Sequence, residues 1–333
     1  MISFWWRRDE PVWTEAVLWP LSLASFAYRA AAAAARKSAT PIRAGAPLIS
    51  VGNLVVGGAG KTPVVLELAE QLLRRGKQPA VLSRGYGRRA RAPVEVTEQT
   101  PCSLAGDEPL LLKRRCPRLR VLVGPRRALL ASQAVARGAD VLLLDDGLQH
   151  HELERDLDVV VMDASNPLGN GRILPRGPLR EPLESLRRVR RGLLWLTRCD
   201  LPRASELPRL PLAGPVESAF VPREAQLAGA AVFLFAGLAY TVSFEALVRG
   251  LGARVVGVRW FPDHHLYSAR DLRQLRREAA LAGAELLVTT EKDLMRLAPA
   301  DLTGPPAIVA VPVDLRITGG EQALQAALDE VLR

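Results

Sequence analysis

The sequence predicts an α/β fold: a mostly parallel sheet with flanking helices, a smaller second α/β domain after it and an N-terminal membrane-associated helix before it. Three observations carry this. Apolar β-type runs recur at 48–51, 80–83, 119–123, 141–144, 158–162 and 193–197, with helix-compatible segments between several of them, the rhythm of a parallel sheet with crossover helices. A proline-rich stretch, 201–217, then interrupts, and a second alternation follows, with strand-like runs at 231–236, 254–258, 285–289 and 307–311 and helices near 243–250 and 268–282. Before all of this, residues 1–45 hold Trp5, Trp6, Trp13 and Trp19, four of the six tryptophans. A chain of 333 residues suggests two domains by length alone. The expected segments are 1–45, a core of 46–215, a smaller domain of 216–318 and a closing helix of 319–333 able to pack back on the core.

Composition narrows the partners. The net charge is +10, but only five of the 45 basic residues are lysines, so part of the arginine excess is compositional. An anionic partner such as a phosphate-bearing substrate or a membrane surface fits better than nucleic acid. Cys102, Cys116 and Cys199 are odd in number and form no C-x-x-C pair, which argues against disulfides or zinc and for a reducing compartment.

In the first segment, Ala16 to Tyr28 is an uncharged apolar run broken by Pro20. It is too short to span a bilayer, which takes about 20 apolar residues. An interfacial anchor and a helix packed on the protein are the two readings. The basic flanks Arg7, Arg8, Arg29, Arg36, Lys37 and Arg43 beside aromatics suit a headgroup zone. Ala30 to Ala35 resembles a signal-peptide cleavage region, but export would separate the next element from its ligand.

That element is Gly57-Gly58-Ala59-Gly60-Lys61-Thr62, fed by the run Leu48 to Val51 and followed by Pro63, Val64, Val65, Leu68, Ala69, Leu72 and Leu73 at helical spacing. Strand, glycine-rich loop and helix make a P-loop NTPase-like unit. Glycines turn backbone N–H groups onto an anion, the helix N-terminus adds its positive end, Lys61 reaches the outer phosphates and the Thr62 hydroxyl can ligate Mg²⁺. Pro63 suits a first helical turn. The strict spacing G-x-x-x-x-G-K-[ST] would require glycine where this chain has Val55.

The later motifs follow in order. Ser83-Arg84-Gly85-Tyr86-Gly87 directly follows a strand, where substrate-contacting loops and solvated loops are equally common. Asp107 in Gly106-Asp-Glu-Pro109 reads either as a helix N-cap or as a base that accepts a hydroxyl proton. The strand Val141 to Leu144 delivers Asp145 and Asp146 at its carboxyl end, where a carboxylate can hold the Mg²⁺ that bridges nucleotide phosphates. Neighbouring side chains on a strand point oppositely, so one of the two takes the metal. Arg172, Arg176 and Arg180 lie in a Gly/Pro-rich loop, and arginine forks match phosphates. Thr197-Arg-Cys-Asp200 faintly echoes the guanine-reading [NT]-K-x-D signature, with arginine in place of lysine. The four histidines form two pairs, His150-His151 and His264-His265. Imidazole–carboxylate tuning, and a second-domain histidine that reaches the core on domain closure, suit them better than a metal site. Glu291-Lys292-Asp293 reads as a nucleotide-side or interdomain contact, or as a surface triplet.

Taken together, Val51-Gly-Asn…Gly57-Gly-Ala-Gly-Lys-Thr-Pro63, Ser83-Arg-Gly-Tyr-Gly87, Gly106-Asp-Glu-Pro109, Asp145-Asp-Gly-Leu-Gln-His150, Gly169-Asn-Gly…Gly177-Pro-Leu-Arg-Glu-Pro182, Phe261-Pro-Asp-His264 and Thr290-Glu-Lys-Asp293 closely resemble the tetraacyldisaccharide 4′-kinase family of lipid A synthesis. The likeness runs nearly end to end, and the family's loop also departs from the strict glycine pattern. It implies phosphorylation of the 4′-hydroxyl of a tetraacylated glucosamine disaccharide 1-phosphate with ATP and Mg²⁺, peripherally at the cytoplasmic face of a bacterial inner membrane. It also implies roles: Asp107 as general base with His264 as its tuning partner, Lys61 and Thr62 on phosphates and metal, and Asp145 and Asp146 in the metal site. Glu181 joins as a metal contributor, and Arg180, Arg127, Gln149 and His150, with Arg84, as contacts to phosphate or substrate.

Overall fold

The computed structural model describes residues 3–6, 12–204, 206–223, 227–237 and 241–333; the expected basic flank at Arg7 and Arg8 and the side chain of Trp13 lie outside them. In chain order the elements are α1 (Val12–Lys37), β1 (Leu48–Gly52), α2 (Lys61–Arg74), β2 (Pro79–Ser83), β3 (Val94–Glu95), α3 (Cys102–Ala105), α4 (Asp107–Arg115), β4 (Arg120–Val123), α5 (Arg127–Ala136), β5 (Val141–Asp145), β6 (Leu157–Asp163), β7 (Gly192–Thr197), β8 (Ala213–Pro222), β9 (Ala231–Ala236), α6 (Thr241–Gly250), β10 (Arg254–Trp260), α7 (Ala269–Leu281), β11 (Leu286–Thr290), α8 (Glu291–Leu294), β12 (Ala307–Val311), β13 (Val313–Gly319) and α9 (Glu321–Val331).

Two sheets result. The larger has nine strands in the order β13-β8-β7-β6-β1-β5-β2-β4-β3, parallel except for β3 and β13. The smaller has four parallel strands in the order β10-β9-β11-β12. Strands covered on both faces must be apolar throughout, and β1, β2 and β5 are buried at every position. Alternate residues serve opposite layers: Ile49, Val51, Val81 and Leu143 pack toward α2, α4 and α9, whereas Leu48, Leu82, Leu142 and Leu144 pack toward α5. The smaller sheet repeats the pattern, with α6 on one face and α7 on the other.

β1 lies between β5 and β6, so the loop after β1 and the turn after β5 open side by side at the carboxyl edge, where α/β sheets hold ligands. α2 is anchored there by its core face. Val64, Val65, Leu68, Ala69 and Leu72 are buried, each larger side chain contributing ~1.5–3 kcal/mol, while no side chain caps its N-terminus at Gly60. Gly60 has φ 82°, and a Cβ there would fall 2.7 Å from the Phe220 ring. Val55, where the strict motif wants glycine, is extended and bridged to Leu179, with Val56 N–H on Pro178 O at 2.8 Å. A strand-like position needs no glycine.

The crossings between sheets do not fall at the expected 215/216 and 318/319. β8 and β13, which straddle those positions, hydrogen-bond to each other and extend the larger sheet, so the smaller one is confined to strands between Ala231 and Val311. The proline-rich stretch hid β8 because Pro208, Pro211 and Pro215 read as linker. At the end of the chain, Leu324, Leu328 and Val331 of α9 join the main core cluster.

α1 is longer than its apolar run suggested and continues through Pro20. One side packs: Leu18, Leu21 and Ser25 are half-buried, and the Ser25 hydroxyl donates to Ile173 O at 2.8 Å on the Gly/Pro-rich loop. The other side leaves Val17, Trp19, Leu23 and Phe26 exposed at 61, 58, 62 and 74%. Among the described residues no helix is long and apolar enough to cross a membrane.

Candidate active site

A cleft of about 810 Å³ runs between the sheets, lined by Gly57 to Pro63 on one side and by Glu108, Asp263 and Thr290 to Lys292 on the other. Lys61, in that lining, belongs to a closed ring of polar contacts. Lys61 Nζ donates to Asn53 Oδ1 at 3.0 Å and pairs with Asp146 at 3.2 Å. Arg180 Nη1 donates to both Asp146 oxygens, at 2.9 and 2.7 Å, and to Gln149 Oε1 at 3.2 Å, and Gln149 Nε2 donates to Asn53 O at 3.1 Å. Burial pushes the Asp146 carboxyl up, but Lys61 and Arg180 outweigh it and hold it below its usual range.

Asp145 and Asp146 differ, but not by alternation along a strand, because only Asp145 belongs to β5. Asp145 ends β5 and accepts from the Ser83 hydroxyl at 2.9 Å, whereas Asp146 leaves the strand at φ 54°. Burial, Glu108 and Asp146 push the Asp145 carboxyl up, and its Oδ1 is buried without a protein partner. A carboxylate destabilised in this way gains from a bound cation. Among the described residues no group of three or more His, Cys, Asp or Glu forms a cage. Mg²⁺ does not need one, since one or two carboxylates with phosphates and water complete its shell, so Asp145, Asp146 and the Thr62 hydroxyl fit it. Glu181, expected at the metal, instead takes Arg188 at 2.8 Å and Arg36 at 3.8 Å. Its neighbour Arg180 makes the link to Asp146.

Across the cleft Asp107 is the first residue of α4, after Gly106 at φ 87°, and its side chain is 3% exposed. Oδ1 accepts the Glu108 N–H at 2.9 Å, so the carboxylate does not cap the helix in the usual way. Oδ2 faces the second sheet. His264 Nδ1 lies 3.0 Å from it, Arg296 Nε donates at 2.9 Å, and Arg296 Nη2 bonds the same oxygen. Burial pushes the Asp107 carboxyl up, yet the His264 hydrogen bond and the charges of Lys292 and Arg296 outweigh it and hold it well below the usual carboxylate range. His265 turns the other way, onto Asp271 at 3.2 Å and stacked on Phe261. His264 has φ 60°, a costly conformation for a non-glycine residue of the kind that clusters at functional sites.

Of the expected substrate residues, Arg180 and Gln149 belong to that ring. Arg127 is 8% exposed with its Nε unpartnered; Arg84 and the two aspartates are charges near enough to influence it. His150 is half-buried, its Nε2 makes no hydrogen bond and lies 3.8 Å from Glu152, and burial and Arg127 push its pKa down. Tyr86, 67% exposed, sets its ring 4.7 Å from that of His264.

Four contributors escaped the sequence reading. Arg296 and Tyr267 carry no motif; Tyr267 donates to Asp293 Oδ1 at 2.8 Å, behind Arg296. Asn53 stood in the quoted Val-Gly-Asn run without a role. Arg198, read as a weak guanine signal, donates to Gly58 O at 3.0 Å and to Asp163 at 2.6 Å with its guanidinium over Phe220, so it clamps the glycine loop.

A family profile described as tetraacyldisaccharide-1-P 4′-kinase matches residues 14–333. Proteins named tetraacyldisaccharide 4′-kinase from Anaeromyxobacter sp. (strain Fw109-5) and Anaeromyxobacter dehalogenans (strain 2CP-1) are each 46% identical to the chain, covering 98 and 99% of it and 95 and 94% of their own lengths. A solved structure, the "apo" form LpxK from Aquifex aeolicus in complex with ATP, is 25% identical with a TM-score of 0.71, over 96% of this chain and all of that one.

Proposed function

The chain belongs to the tetraacyldisaccharide 4′-kinase family, and from that premise we propose that it is the ATP-dependent lipid A kinase that phosphorylates the 4′-hydroxyl of a tetraacylated glucosamine disaccharide 1-phosphate. The observation that carries this reading is the cleft lined by the glycine loop and Lys61, with Asp146 paired to Lys61 and with the buried carboxylate of Asp107 next in the chain to the cleft-lining Glu108. ATP lies with its phosphates on Gly57 to Thr62 and Lys61 at the outer ones. An alcohol does not ionise at neutral pH, so Asp107 accepts the 4′-hydroxyl proton as the oxygen bonds to the γ-phosphorus and the bond to the ADP oxygen breaks. A carboxylate held below its usual range is ionised at neutral pH and so has a lone pair for that proton, with a smaller driving force than an unperturbed one. Thr62, Asp145 and Asp146 would hold Mg²⁺, which when bound neutralises charge on the phosphate oxygens. Glu181, tied to Arg188 and Arg36, steadies the loop that presents Arg180.

The exposed face of α1 supports peripheral attachment at the cytoplasmic face of the inner membrane. Trp19, Leu23 and Phe26 on a helix that packs only by its other side suit insertion to headgroup depth, and a substrate with four acyl chains stays at that surface. Purified protein incubated with γ-labelled ATP, Mg²⁺ and the acylated disaccharide 1-phosphate should yield labelled bisphosphorylated lipid. Label that stays in ATP or appears only as free phosphate would overturn the reading.

A further inference from the structure

Two cations that follow β11 bear on Asp107: Arg296 bonds it directly, and Lys292 acts through His264 and by its charge. Lys292, in α8, places Nζ 3.3 Å from His264 Nε2, 3.0 Å from Glu108 and 3.7 Å from Asp263. Burial pushes its ammonium toward neutrality, but Glu108, Asp107 and Asp263 outweigh that and keep it charged. An ammonium only donates, so His264 Nε2 is the acceptor and the single imidazole proton sits on Nδ1, 3.0 Å from Asp107 Oδ2. Arg296 Nη2 also lies 3.3 Å from Nδ1, but its acceptor at closer range is the carboxylate. The Arg296 side chain is 2% exposed and is held from behind by Asp293 at 2.9 Å, itself fully buried and bonded to Tyr267 and Thr290.

We propose that Lys292 and Arg296 are positioning residues for the base, Lys292 by fixing the His264 tautomer and Arg296 by filling Asp107 Oδ2, so that Oδ1 is the oxygen left to receive the acceptor proton. The geometry supports each half separately. Three donors, His264 Nδ1, Arg296 Nε and Arg296 Nη2, converge on Oδ2, while Oδ1 carries only the Glu108 N–H and retains a lone pair. With Arg296 absent the carboxylate could rotate and offer either oxygen; with Lys292 absent His264 could carry its proton on Nε2 and leave Oδ2 with the Arg296 donors only. Both residues belong to the smaller sheet's side and Asp107 to the larger, so the base is set only when the two sides meet. The inference rests on the phosphotransfer reading above.

The charged and titratable groups facing Asp107 are His264, Lys292 and Arg296 from the smaller sheet and Cys102 and Glu108 from its own side, with Asp263, Asp293 and Tyr267 behind the cations. Lys292 and Arg296 both hold the Asp107 carboxyl down, so removing either raises it, and the acid limb of the pH profile for kcat/KM must move to higher pH. The test measures that profile for the intact chain, Lys292→Met, Arg296→Gln and Arg296→Lys, with ATP binding and thermal melting alongside. Expected results are a loss of about 10²-fold in kcat for Arg296→Gln, the scale of a misplaced catalytic group, partial recovery in Arg296→Lys, and an upward-shifted acid limb in Lys292→Met with ATP binding kept. A merely structural role would lower activity equally at every pH. If Arg296→Gln does not fold, Lys292→Met and Arg296→Lys decide. An unshifted limb in both, with transfer by the intact chain, overturns the inference; no transfer by the intact chain overturns the reading beneath it.

Discussion

The two walls of the cleft are built on different plans. The donor wall, with the glycine loop, Lys61, Asp146, Gln149 and Arg180, comes from the carboxyl edge of one sheet, and each member is tied to the next by a direct hydrogen bond or ion pair. The acceptor wall is split: Asp107 stands on α4, and everything that orients its Oδ2 comes from the smaller sheet's side, at His264 and Arg296. The donor wall is therefore preset within one sheet, by its backbone and these side-chain contacts, whereas the acceptor wall exists only as a contact between two folded units.

That difference predicts an order of damage. Asp107→Ala should cut transfer by roughly 10²–10⁴ and leave ATP binding nearly intact, because the donor wall does not need it; equal loss of both in a binding and turnover assay would mean that the walls are not separate. Lys61→Ala should cost transfer roughly 10²–10³ and weaken ATP binding as well, the reverse signature, readable by nucleotide titration. For Arg180→Ala, which frees Asp146, the Mg²⁺ dependence should weaken by about 10–100-fold, as expected of a group that orients a metal ligand. His264→Ala removes the hydrogen bond that helps to depress the Asp107 carboxyl, so the acid limb should rise in pH; an unmoved limb would count against the pairing. Smallest in turnover of a soluble substrate analogue, near zero, should be Trp19→Ser with Phe26→Ser. Their effect belongs to vesicle sedimentation, where each lost apolar side chain should weaken partition about tenfold.

What could be read from the sequence follows the same division. Every strand of the parallel core from β1 to β7 was legible because burial on both faces demands continuous apolar runs, and the glycine loop because phosphate binding demands particular residues at fixed spacing. β8 and β13 were not legible: they cap the sheet's end half-exposed, β8 carries prolines, and nothing local says that they pair with each other. Asp107 could be read as a cap or as a base, and the contacts to His264 and Arg296 that support the second reading come from residues far along the chain. Arg296 was silent because an arginine three residues after Asp293 is an ordinary helix-surface spacing. Its one sequence signal was proximity to the Glu-Lys-Asp motif.

The antiparallel pairing of β8 with β13 has a consequence for how often the acceptor wall forms. Residues that leave for the smaller sheet and residues that return from it are joined along Glu217 to Pro222 and Val313 to Gly319, so His264 and Arg296 meet Asp107 by a unimolecular event at high effective concentration rather than by a search on a loose tether. Cleaving the chain on either side of that ribbon would keep every residue of the site and still lower turnover, and diluting the two pieces would then lower it further, which no substitution within the cleft could do.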